Sequence, residues 1–154
     1  MLTYEFGDRV GRTAPIRLGV TAAILDPDGR LLLTRRADNG EWCLPGGAVD
    51  PGESLAEACA REVREEIGVE ARITRLIGTY SSPDIVAVYP DGNRAQIVAA
   101  VFRAEIVAGT PGLSGEVTEV GFFTADEAAA LAVIATQRRR IGDVFAPDAP
   151  PFFD

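Results

Sequence analysis

The chain has 154 residues, 47% of them hydrophobic, with a formal net charge of −8 and no histidine. That length encloses one sizeable core and is too short for two ordinary domains, while the acidic balance argues against general nucleic-acid binding, which needs basic patches that displace counterions. Without histidine, His-dependent triads, His-ligated zinc and imidazole acid–base chemistry are excluded, which leaves carboxylates, basic side chains, hydroxyls, thiols or a bound metal.

One domain is therefore expected over residues 1–154, with residues 1–14 as an N-terminal extension. Met1 to Val10 carries Glu5, Asp8 and Arg9 and lacks the basic-then-apolar pattern of a secretory leader. No apolar stretch approaches the ~20 residues needed to span a bilayer, so a cytoplasmic protein with no membrane partner is expected. Ile16 to Leu25 is rich in branched apolar residues and ends at Asp26-Pro27-Asp28-Gly29. With Arg30 to Arg36 resuming after this strong turn signal, the stretch predicts a β-hairpin. Ala37-Asp38-Asn39-Gly40 reads as a loop and Glu41 to Leu44 as a short extended run, while Pro45-Gly46-Gly47 prevents helix from starting there.

Ser54 with Glu57 three positions on forms a capping-box signal, and Gly68 stands where a helix often ends in a left-handed residue. A helix is predicted over Leu55 to Ile67. Strands follow at Ala71 to Tyr80, Ile85 to Tyr89 and Ala95 to Val107, the last two joined by a turn at Pro90-Asp91-Gly92-Asn93, and then at Glu119 to Phe123. Thr124 and Glu127 repeat the capping-box signal for a helix reaching about Val133, and Gln137 to Val144 reads as a further helical turn. Residues 146–154, with Pro147, Pro150, Pro151 and Phe152-Phe153, read as an extended Pro-rich tail. Strands interleaved with two or three helices imply a mixed β-sheet with helices on its faces. Cys43 and Cys59 are read as buried free thiols, because a domain of this size in a reducing compartment needs no staple.

On a helical wheel at ~100° per residue, Ala56, Cys59, Ala60, Val63 and Ile67 fall in one arc, the expected core face. Glu62, Glu65 and Glu66 fall in a second, because positions i, i+3 and i+4 are neighbours. Ala58, one turn earlier in that sector, is small enough to leave room for a hydrated ion. Crowded like charges destabilise a helix unless something positive lies between them. For an arbitrary acidic helix, a solvated face balanced by Arg61 and Arg64 would be the simpler account. The surroundings change that account. The stretch Gly47 to Val69 fits G-x5-E-x7-R-E-U-x-E-E-x-G-U, with U aliphatic, through Gly47, Glu53, Arg61, Glu62, Val63, Glu65, Glu66, Gly68 and Val69. At ordinary residue frequencies, a chance match is on the order of one in a million or rarer.

This pattern resembles the signature of the Nudix hydrolases. The resemblance implies an α/β fold (α+β in its segregation of elements), an α/β/α sandwich with a mixed sheet in which the box forms a loop-helix-loop. It implies divalent-metal ligands at Glu62, Glu65 and Glu66 with the Gly46 carbonyl, and a structural brace between Glu53 and Arg61. Hard oxygen ligands suit Mg²⁺ or Mn²⁺, and a diphosphate completes the octahedron. The implied reaction is attack of water on phosphorus in a nucleoside diphosphate linked to another group, such as a nucleoside triphosphate, ADP-ribose or a nucleotide sugar. A cation also lets an acidic protein receive an anionic substrate.

Outside the box, Gly115-Glu116 followed by Glu119 to Phe122 resembles the segment that carries a late-loop glutamate in the triphosphate-sanitising branch. Glu116 is the candidate base or added ligand, with Glu119 as its rival. Thr34-Arg35-Arg36-Ala37 resembles the same branch and makes Arg36 a candidate phosphate clamp. Trp42 either stacks on a base or packs into the core, with packing favoured. Tyr89 and Gln96, flanking the last hairpin, are candidate base or ribose contacts. Pro83 lies slightly too near the box to match the proline of ADP-ribose-cleaving members, and no upstream coenzyme A signature is present. An isoprenoid diphosphate isomerase is disfavoured by the lack of histidine. A noncatalytic nucleotide-sensing module is the alternative function; the intact carboxylate set and the lack of an attached DNA-binding segment argue against it. The resemblance also allows a homodimer, with the Pro-rich tail contributing to its interface.

Overall fold

The branched apolar runs become strands. A computed structural model describes residues 1–146 and 149–154. Its strands are β1 (Thr3–Phe6), β2 (Ile16–Ile24), β3 (Leu31–Arg36), β4 (Trp42–Cys43), β5 (Gly46–Ala48), β6 (Glu70–Tyr80), β7 (Ile85–Val88), β8 (Arg94–Ala108) and β9 (Val117–Phe123). The helices are α1 (Leu55–Ile67), α2 (Ala125–Ala130) and α3 (Arg138–Val144). The larger sheet runs β1-β7-β8-β2-β5, with β6 also on β8. It is mixed, since β2 lies parallel to β8 while its other pairings are antiparallel. β8 is long enough to hold two neighbours on one side, β7 at Arg94 and Ala95 and β6 from Ala99 to Ala108. The smaller sheet is β4-β3-β9, antiparallel throughout. Helices on the faces of a mixed sheet give the α/β/α sandwich.

β3 lies at the centre of the packing. Leu31 and Leu33 enter one core cluster with Leu44, Ile77, Val101 and Val144, whereas Leu32 enters a second with Val20, Ile24, Val63 and Ile67. A strand buried on both faces reads as an unbroken apolar run, which is how Leu31-Leu32-Leu33 appears. α1 rests on the second cluster. Its capping box forms as expected, Ser54 accepting from the Glu57 N–H and Glu57 from the Ser54 N–H, and Gly68 closes it at φ 73°.

Several expectations change. The Asp26–Arg30 turn forms, but β2 and β3 share only the Leu25–Leu31 bridge and then part into different sheets, so no hairpin results. β2 pairs instead with β8 and β5, and β3 with β9 and β4. No helix starts at Pro45-Gly46-Gly47, as expected, and Gly46–Ala48 pairs with β2 as a strand. α2 stops at Ala130, short of Val133, because the following residues pair with Trp42: the Trp42 N–H donates to the Ala132 carbonyl and the Ile134 N–H to the Trp42 carbonyl. Tertiary pairing overrides local helix preference there. Residues 1–14 are more than an extension, since β1 pairs with β7. The C-terminal segment is anchored: Phe152 exchanges backbone hydrogen bonds with Ile77 and Thr79 and stacks on Tyr80 with ring centroids 5.0 Å apart. Pro147 lies outside the described residues.

Cys59, Val63 and Ile67 of α1 turn inward as expected, with one exchange near the helix start. Ala58 is fully buried and Ala56 is exposed, the reverse of the wheel's division. Ala58 packs in the cluster that holds Val20, Ile24, Leu32 and Val63. Core packing therefore extends to the sector that holds Glu62 and Glu66, and Ala58, expected to leave room for a hydrated ion, lies in the core instead.

Candidate active site

β5 brings the box loop between β2 and α1, and two glycines permit the approach. A Cβ on Gly46, at φ 148°, would collide with the Val20 carbonyl. One on Gly47 would stand 2.5 Å from the Glu62 carboxyl carbon. With both side chains absent, the Gly46 N–H donates to Glu66 Oε2 at 3.1 Å.

Arg61 ties this arrangement together. Its guanidinium donates to both Glu53 oxygens at 2.6 and 2.9 Å, to Glu62 at 2.8 Å, to Glu65 at 3.1 Å and to the Ala48 carbonyl at 3.0 Å. Bidentate, charge-assisted bonding of this kind fixes orientation as well as charge. The expected Glu53–Arg61 pair is thus formed, and it clamps the loop to the helix. The Arg61 side chain holds the Glu53 carboxyl down to about 2, with the Asp50 N–H as a second donor.

The carboxylates differ in environment. The Glu62 side chain retains 16% of its exposure and that of Glu65 56%. Burial, with the charges of Glu62 and Glu116, pushes Glu66 up to about 7 against the pull of the Gly46 N–H and Arg36. Burial also raises Glu62. A cavity of about 570 Å³ is lined by Glu62, Glu65, Glu66 and Glu116 together with Arg36 and Gly46. Glu116 reaches it because the Ala37 N–H holds its carbonyl to the end of β3.

Among the described residues no three acidic or thiol side chains gather closely enough to enclose an ion, and Arg61 holds Glu62 and Glu65 through one nitrogen. The donor set nevertheless fits a hard divalent cation: four carboxyl groups face one cavity, and a buried one among them is short of positive charge.

The remaining candidates divide. Glu119 pairs with Arg35 across the β3–β9 ladder and does not line the cavity, unlike Glu116. Arg36 lines it while held by Asp38 through two hydrogen bonds. Trp42 is directed to the core, edge-on to Phe123 at 4.9 Å, and lines neither this cavity nor its neighbour. Gln96 is taken up by the backbone, its amide donating to the Ser81 carbonyl at 2.8 Å, and so is not brought to the site. Tyr89 lines an adjoining cavity of about 320 Å³, which shares Arg36, Gly46, Gly47 and Ala48 with the first. The same cavity is lined by Tyr4, Thr21, Gln137 and Arg140, none of them singled out from the sequence. Arg140 looks like one of three exposed charges in Arg138-Arg139-Arg140, and only the turn of α3 separates it from its neighbours. Cys43 and Cys59 are buried free thiols, pushed up to about 11 and about 12 by burial. Among the described residues no helix is long and apolar enough to cross a membrane.

The family model described as NUDIX domain matches residues 15–144. A MutT-like protein of Streptomyces ambofaciens is 36% identical over 128 residues, which cover 82% of this chain and 77% of the relative. An ADP-ribose pyrophosphatase of Methanocaldococcus jannaschii is 34% identical over 65% of this chain and 57% of its own length. The solved structure of a MutT protein from Methanosarcina mazei Go1 superposes with a TM-score of 0.73 at 28% identity, covering 90% of this chain and 99% of that one. With the box matched, its helix laid against β5 and the family model covering most of the length, the chain belongs to the Nudix hydrolase family.

Proposed function

We propose that the protein hydrolyses the phosphoanhydride of a nucleoside diphosphate linked to another group, with Mg²⁺ or Mn²⁺ as cofactor. The supporting observation is that Glu62, Glu65, Glu66, Glu116 and Arg36 line one cavity next to Gly46. Glu62, Glu65 and Glu66 with the Gly46 carbonyl would hold the cation, Glu65 releasing Arg61 to do so. The bound cation supplies positive charge that offsets the carboxylates and stabilises charge developing on the diphosphate. Arg36 positions a phosphate oxygen, and a Glu116 carboxylate oxygen accepts a proton from the attacking water. The new bond joins that water oxygen to phosphorus, and the bridging P–O bond breaks. A nucleoside monophosphate and the phosphorylated remainder leave.

The experiment is a panel of nucleoside triphosphates, ADP-ribose and nucleotide sugars with Mg²⁺ or Mn²⁺, scored by the monophosphate released. Metal-dependent release from at least one class supports the proposal. Nucleotide binding without hydrolysis across the panel would favour the sensing module instead.

A further inference from the structure

Two buried side-chain atoms among the described residues have no hydrogen-bond partner, the Thr21 hydroxyl and Nε of Arg140. Both residues line the cavity that adjoins the carboxylates, and both are more than nine-tenths buried, at 6% and 8% exposure. An unpaired buried polar group costs stability. Two around one cavity therefore point to a ligand that satisfies both.

The chemistry of the lining narrows that ligand. No carboxylate lines the cavity; its charged groups are Arg17, Arg36 and Arg140, in a protein of net charge −8. Gln137 accepts the Leu44 N–H on its amide oxygen at 2.7 Å, which leaves its NH₂ as a further donor. The Arg140 guanidinium lies 5.4 Å from the Tyr80 ring centroid, so an aromatic face supports it and its N–H groups remain for an acceptor. Tyr4 and Tyr89 add aromatic surface. On the reading proposed above, the diphosphate occupies the neighbouring cavity, so the part of the substrate reaching this one is the nucleoside.

We infer that Arg140, with Thr21 and Gln137, selects a 6-oxopurine base. The O6 and N7 atoms of such a base are adjacent acceptors that match two guanidinium N–H groups, whereas the 6-amino group of adenine would set donor against donor. This inference rests on the proposed hydrolysis and names the base it favours.

The test compares Mg²⁺-dependent hydrolysis of ITP, GTP and ATP by the wild type, Arg140→Met and Thr21→Val. ITP differs from ATP at the 6-position without adding the 2-amino group of GTP. The wild type is expected to favour ITP and GTP over ATP by about tenfold to a hundredfold in kcat/KM, chiefly through KM. Arg140→Met should bring the three substrates together with the fold retained, as circular dichroism would check; Thr21→Val, with a similar shape, should shrink the contrast in the same direction. The inference is overturned by an absent ITP/ATP contrast, by one that persists in both variants, or by an equal loss for all three substrates, the mark of a phosphate contact. Turnover of other diphosphates but none of these purines also overturns it and leaves the proposed hydrolysis standing, whereas no metal-dependent turnover of any diphosphate would bring down the hydrolysis itself.

Discussion

The carboxyl group of Glu62 occupies the space a side chain on Gly47 would need, 2.5 Å from where its Cβ would stand. The first glycine of the box thus works at the far end of the motif, by giving a helix carboxylate its place beside β5. Gly47→Ala is expected to fold and to displace Glu62, lowering kcat on the order of a hundredfold, the scale of a displacement near 1 Å in a reacting group. Circular dichroism would check the fold and steady-state kinetics the loss. Wild-type turnover in a folded Gly47→Ala protein would contradict the packing described.

Glu66→Gln keeps the shape of the side chain and removes its charge. Roughly two orders of magnitude or more should be lost from kcat with folding retained, a scale typical of lost electrostatic catalysis. Glu65→Gln should behave in the same way. Near-normal turnover in both would remove them from the cation site.

The Glu53–Arg61 clamp predicts an acid limb of stability. Glu53 titrates near 2 in the folded protein against an ordinary value of 4.5, so the folded state binds fewer protons than the unfolded one between those values. Its stabilising contribution is present above about 4.5 and is lost as pH falls toward about 2. Thermal melts at pH 6, 4 and 3 should show Glu53→Gln less stable than wild type at pH 6, with the gap closing toward pH 3. A gap independent of pH would assign the effect to something other than this charge.

Phe152 joins the C-terminal segment to the body, stacked on Tyr80 and lying under the Arg139 guanidinium at 4.3 Å. Because the side chain is half-buried, Phe152→Ala should cost about 1–2 kcal/mol, below the cost for a fully buried ring. Urea unfolding followed by Tyr fluorescence or circular dichroism measures it. An unchanged midpoint would show that this segment does not contribute to stability.

The box was legible as letters because each of its positions answers a local demand. Ser54 and Glu57 cap one helix, Gly68 ends it in a left-handed turn, and Glu62, Glu65 and Glu66 recur at helical spacing; these interactions span a few residues. The sequence by itself determined the helix, its acidic side and the family that the box signals. Only the tertiary structure decided that β2 and β3 part into separate sheets, that Ala58 rather than Ala56 turns inward, and that Gln96 and Trp42 serve the scaffold. It also decided which loop acid faces the cavity, Glu116 beside the box or Glu119 paired to Arg35. Each of these depends on a partner distant in the chain. Arg140 makes the difference plainest: its neighbours in the chain are arginines, and it is buried where α3 packs on β6, at a cavity that Thr21 of β2 also lines, a juxtaposition that no local pattern records.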